Sequence, residues 1–136
     1  MTSFTFSHAE ADDWAGLAKS LADGLKAGAG NGDRLGFIYV TDMMADELGS
    51  ILTYLRQTTG VENWVGSVGI GICASGVEYF DRPAAAAMIG DLPKDSFCVF
   101  PAVTDPDQGI SSSVRTWAEE ADRKSTRLNS SHVLIS

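Results

Sequence analysis

Two short apolar runs on either side of an amphipathic segment constrain this chain more than any other feature. Residues 35–41 read Leu-Gly-Phe-Ile-Tyr-Val-Thr, a β-branched and aromatic run with the character of a buried strand. A helix is expected after Asp42, with Met44, Leu48, Ile51, Leu52 and Leu55 inward and Gly60 just beyond its end. Residues 64–71, Trp-Val-Gly-Ser-Val-Gly-Ile-Gly, read as the next strand, with glycines where backbone passes close to a neighbour. Strand, helix and strand within about 40 residues make a βαβ unit, so the two strands should be parallel and the crossover right-handed.

The flanking segments build on that unit. Ser7-His8-Ala9-Glu10 fits a capping box, which predicts a first helix from there, with Trp14, Leu17, Leu21 and Leu25 along one face. Gly28 to Gly32, with Asn31 and Asp33, should end it in a loop. Residues 77–80, 84–90 and 96–103 are short extended segments, separated by Asp81-Arg82-Pro83 and by residues 91–95. Those connections are too short for crossover helices, so antiparallel pairing is expected. Alanine prefers helix, but the prolines bounding residues 84–90 leave little room for one, and the segment reads as a strand. Residues 104–109 form a loop, and 113–121 begin another helix with Val114 and Trp117 as apolar positions. The fold class that follows is α/β with α+β character. A mixed sheet has one parallel βαβ unit followed by antiparallel strands, with helices packed on the sheet.

Residues 122–136 read unlike the rest. The acidic, alanine- and glycine-rich character stops at Asp122, and a basic, serine-rich run begins: Arg123-Lys124-Ser125-Thr126-Arg127-Leu128-Asn129-Ser130-Ser131-His132. No apolar period runs through it. Its back-translation matches a common short-read sequencing adapter read in one frame, with 133–136 as index or vector bases. The expected organisation is therefore a partial domain over residues 1–121, an adapter-derived tail over 122–136, and a natural chain that continues beyond about Ala121.

Composition narrows the function. The 136 residues carry a net charge of −8, and the tail contributes Arg123, Lys124 and Arg127 against Asp122, so the rest is more acidic still. Nucleic acid and anionic membranes are recognised through Lys and Arg, so neither is an expected partner. No apolar run approaches the roughly 20 residues of a membrane-spanning helix, and residues 1–8 lack a secretory leader's basic and apolar regions. Cys73 and Cys98 have no repeated spacing, and reduced thiols in a cytoplasmic protein are the expectation.

Ligands of α/β sheets gather at the carboxyl ends of parallel strands. Here those ends are Thr41-Asp42-Met43 and Ile72-Cys73-Ala74-Ser75-Gly76. Two such loops facing each other would offer a carboxylate, two hydroxyls, a thiol and glycine-rich backbone to one small molecule. Asp42 also reads as the cap of the second helix, and both roles can hold together. Gly69-Ile-Gly71-Ile-Cys73-Ala74 has the letters of a nucleotide fingerprint, but that motif must open a helix, and an extended segment follows here. Cys73 is a possible nucleophile, yet outside the tail its base could only be His8, which would require a fold-back. With one histidine there and two distant cysteines, no zinc site is expected and no cofactor is assigned. Glu78 and Asp81 could exchange protons, but the spacing fits a solvated strand edge equally well.

With residues 35–42 and 64–81 in view, the chain resembles the N-terminal part of FIST proteins, a group proposed to be small-ligand-binding sensory domains in bacterial signal transduction. The similarity spans about Ser3 to Val103. The stretch from Gly71 to Gly76 looks like the family's most recognisable segment, where other members commonly have Ser or Thr in place of Cys73 and Ala74. The resemblance implies a small polar metabolite such as an amino acid as ligand. It also implies a second, C-terminal FIST region as intramolecular partner. On that scheme Asp42 accepts from an ammonium group, N–H groups around Ala74 to Gly76 donate to a carboxylate, and Thr41, Gly71, Cys73 and Ser75 complete the site, with no catalytic residue. The alternatives are a cysteine-dependent hydrolase or transferase using Cys73, and a non-catalytic protein-interaction module.

Overall fold

A computed structural model describes residues 3–25 and 33–128, with side chains to Lys124. The chain divides into two units, Met1–Lys94 and Asp95–Ser136. The expected loop at 28–32 and the end of the tail, including the 133–136 reading, lie outside the described residues.

The first unit begins with a strand where a helix was expected. Strand β1 spans Phe4–Glu10, and helix α1 begins only at Trp14 and runs to Gly24. The capping-box reading of Ser7 and Glu10 is therefore corrected. Asp13 caps the helix, its extended backbone placing the carboxylate to accept the Gly16 N–H at 2.7 Å. Trp14, Leu17, Leu21 and Leu25 do form the inward face, and the last three are fully buried.

Strand β2 (Asp33–Thr41) leads through a 3-10 turn, Asp42–Glu47, into helix α2 (Leu48–Thr59). Gly60 closes α2 in a left-handed conformation and donates its N–H to the Arg56 carbonyl. Strand β3 (Asn63–Gly69) then pairs parallel with β2, from Leu35 opposite Asn63 to Thr41 opposite Gly69. The βαβ unit is thus present. At Gly66 a β-carbon would collide with the Ile38 carbonyl, so the close strand contact requires glycine there.

The expected strand over 64–71 is interrupted at Ile70. Gly71–Ala74 forms a separate strand, β4, in an antiparallel hairpin with β5 (Val77–Phe80). Strand β6 (Ala84–Leu92) enters the main sheet between β1 and β2, antiparallel to both, giving the order β1-β6-β2-β3. Its alanines occupy a strand despite their helical propensity because the central position is crowded on both faces. Ala85, Ala87 and Ile89 meet α1, α2, Ile38, Val40 and Trp64 in the main core. Ala84, on the opposite face, is buried with Ile72 and Tyr79 of the hairpin, with Ala74 and Ala86 packed beside them. The helices therefore cover one face of the mixed sheet, and the hairpin covers part of the other. Phe4, Phe6 and Tyr39 stand about half exposed on that second face.

In the second unit, residues 96–103 form no strand, which corrects that expectation. Their Val, Phe and Cys residues give the segment strand composition, but none of them enters a ladder among the described residues. A turn follows in which the Asp105 carbonyl accepts the Gln108 N–H and its carboxylate accepts the Asp107 N–H. Helix α3 (Ser112–Leu128) places Val114, Trp117, Ala118 and Ala121 on a half-buried stripe and continues through the basic run. No helix among the described residues is long and apolar enough to cross a membrane.

Candidate functional site

The carboxyl end of β2 is tied down by one side chain. Thr41 is fully buried, and its Oγ1 donates to the Arg82 carbonyl at 2.6 Å while accepting the Ala84 N–H at 3.0 Å. The Ala84 carbonyl lies 3.3 Å from the same oxygen. The hydroxyl's single proton goes to the nearer Arg82 carbonyl, and one of its lone pairs takes the Ala84 N–H. Thr41 thus holds the β5–β6 connection against the end of β2, and its hydroxyl is turned away from solvent.

The same connection is held from β1. Ala11 donates its N–H to the Pro83 carbonyl at 3.1 Å, and Arg82 pairs with Glu10 at 3.2 Å with both side chains half exposed. Asp81 takes a left-handed backbone, φ 53°, which lets the chain turn out of β5. The ends of β1, β2 and β5 therefore meet in one knot beside Asp42.

Asp42 is the first residue of the 3-10 turn and is exposed. It does not cap a helix. Thr41 and Glu47 occupy the two N-cap positions and neither makes a side-chain cap bond, so the capping reading of Asp42 is corrected. Gly71 is two residues beyond Gly69, which is in register with Thr41.

Cys73, Ala74, Ser75 and Gly76 are not a loop leaving a parallel strand. Cys73 and Ala74 belong to β4, and Ser75 and Gly76 form the hairpin turn. Gly76 supplies the positive φ, 77°, that the turn requires. Three strand residues, Ile72, Cys73 and Ala74, separate this tip from Gly71, about 13 Å along the hairpin. The start of the hairpin at Gly71 thus follows the end of the parallel pair at which Asp42 stands, and Ser75 and Gly76 are at the far end of the hairpin.

The hairpin register also settles the geometry of Cys73. It lies opposite Glu78, and antiparallel partners point to the same face, so both side chains are on the exposed outer side. Ile72 and Tyr79 form the next pair and point inward. His8 meets that inner side, its Nδ1 lying 2.6 Å from the Tyr79 hydroxyl. Cys73 and His8 consequently lie on opposite faces of the hairpin, and the fold-back needed for a Cys–His pair does not occur. Both cysteines are free thiols. Among the described residues no His, Cys, Asp and Glu side chains gather into a metal-binding group.

Sequence reasoning missed the His8–Tyr79 contact and the Arg82 knot. The alternation Phe4, Phe6, His8 was the available signal for the first, because it puts three large side chains on one strand face. Nothing local announced the second, which joins residues about 40 positions apart.

No family model matches the chain, and no curated protein matches it. Among solved structures, the fold is similar to a GTPγS-form protofilament of TubZ from Bacillus thuringiensis serovar israelensis, at 15% identity and a TM-score of 0.40. That alignment covers 91% of this chain but 30% of the TubZ chain, and a likeness of this strength carries no argument about function.

Proposed function

We propose that this chain is a small-ligand-binding sensory domain of FIST type, acting in cytoplasmic signal transduction on amino acids or similar polar metabolites. The observation that supports this most is the end of the parallel pair. β2 and β3 finish in register at Thr41 and Gly69, and the exposed carboxylate of Asp42 stands immediately beyond. Asp42 accepts from the ligand's ammonium group, with Gly71 at the start of the hairpin. Thr41 contributes by fixing this end of the sheet rather than by touching the ligand. Cys73, Ala74, Ser75 and Gly76 lie farther along the hairpin and are left out of this contact, and a C-terminal FIST region supplies the opposite wall.

Calorimetric titration with the standard amino acids tests the reading. The expected result is saturable binding of at least one of them, weakened about tenfold or more in Asp42→Ala, as for loss of a charged hydrogen bond. Unchanged affinity in Asp42→Ala removes Asp42 from the site, and no binding by any amino acid overturns the ligand class.

A further inference from the structure

The hairpin covers one end of the sheet face opposite the helices, and the rest of that face is apolar. Phe6 is opposite Met88, Met88 is opposite Phe37, and Phe37 is opposite Val65, so one row of large side chains crosses all four strands. Register partners point to the same side of a sheet. Ile38, next to Phe37, is in the core under the helices, which puts the row on the other face. Phe4 and Tyr39 stand two positions from Phe6 and Phe37 and share that face. The Phe4 ring lies over Gly90, close enough that a β-carbon there would collide with it. Phe4, Phe6 and Tyr39 are 53%, 59% and 47% exposed. The half-buried Phe37, Val65 and Met88 belong to neither apolar cluster among the described residues.

Neither this row nor the register row on either side of it contains an Asp, Glu, Lys or Arg, and their His8 is bonded to Tyr79. The chain carries a net charge of −8, so two copies repel wherever their carboxylates meet, and a charge-free face is where that repulsion is least. A basic or acidic partner segment would find no counter-charge within the patch. A second copy brings what the face can match, another neutral apolar sheet of the same twist. Two such sheets pack about 10 Å apart with their inner side chains interdigitated. Four strands about 4.8 Å apart and three rows about 6.8 Å apart make a patch of about 400 Å². That is about half of what each partner gives to a standard stable interface, so the contact fits a reversible dimer and not a permanent one.

We infer that two copies of this chain pair reversibly through this sheet face, with Phe4, Phe6 and Tyr39 of each packing against the same face of the other. The pairing does not rest on the small-ligand reading, which depends on Asp42 and not on these aromatic residues.

Sedimentation equilibrium of the full 136-residue chain is the test. The mass should rise from that of one chain toward that of two between about 5 and about 500 μM, and go no further. Raising the salt should leave the association intact or strengthen it, because salt screens the repulsion between the copies and not the apolar contact. Phe6→Glu should weaken the dimer about tenfold or more. Tyr39→Glu should do the same, and it replaces Phe6→Glu if circular dichroism shows that variant unfolded. Gln57→Glu adds the same charge on the exposed side of α2 and should leave the association unchanged. A single-chain mass at every concentration overturns the proposal, and so does growth past two copies or association that falls with salt. Undiminished association of the folded variants overturns it too, as does a loss in Gln57→Glu equal to theirs. Amino-acid titration of Phe6→Glu separates this result from the small-ligand reading, because binding retained there leaves that reading standing whatever the mass.

Discussion

The Nδ1 of His8 lies 2.6 Å from the Tyr79 hydroxyl, a hydrogen bond that joins edge strand β1 to the inner side of the β4–β5 hairpin. The hairpin's own apolar cluster is small, with Ile72, Tyr79 and Ala84 as its buried members. A single polar link is therefore a substantial part of what holds the hairpin down. Tyr79→Phe keeps the ring and removes the hydroxyl. It should lower stability by about 1 kcal/mol, read as a fall in urea midpoint at unchanged slope. In a double-mutant cycle with His8→Ala the two losses should be non-additive. Strict additivity would show that the contact contributes nothing.

Thr41 should be much less tolerant. Thr41→Val preserves the shape of the side chain but leaves the buried Ala84 N–H and the part-buried Arg82 carbonyl without their partner. The expected cost is about 2–3 kcal/mol. Thr41→Ser retains the hydroxyl and loses one methyl group, at about 1 kcal/mol. Urea unfolding of the two variants side by side checks the order. A larger loss in Thr41→Ser than in Thr41→Val would mean that the methyl group, and not the hydroxyl, carries the role.

Cys73 should behave as an ordinary exposed thiol. Its neighbour across the hairpin is Glu78, and His8 lies against the other face. Iodoacetamide should label it at neutral pH no faster than it labels a small model thiol. Labelling many times faster would revive the nucleophile reading and require a base that this geometry does not supply.

The parts of the fold that were legible in the sequence share a physical cause. Residues 35–41 and the helix with Ile51 and Leu55 bury their apolar side chains against the main core, so apolar periodicity reported them correctly. In β1 the usual pattern is inverted. The large residues Phe4 and Phe6 are on the half-exposed face, while small Thr5, Ser7 and Ala9 face the helix layer. Ser7 lies so close to Gly24 that a β-carbon there would collide with it. A small, polar inward face resembles a helix start more than a strand, hence the capping-box reading of Ser7 and Glu10. Residues 96–103 failed in the opposite way, since strand composition without a neighbouring strand forms no ladder. The end of the parallel pair was locatable because topology alone puts it there. The occupation of the Thr41 hydroxyl was not, because it depends on Arg82 and Ala84, which only the fold brings near.

The order β1-β6-β2-β3 has a consequence for how the chain is made. The two outer portions of the sheet are synthesised first, and nothing in the ladder joins β1 to β2 directly. Until the segment ending at Leu92 emerges, β1 lacks its native partner, whereas β2 and β3 already have each other. The last strand of the sheet to be translated is the one that makes it continuous. Four successive alanines at the start of that strand are small enough to fit between β1 and β2 with a packed layer on each face.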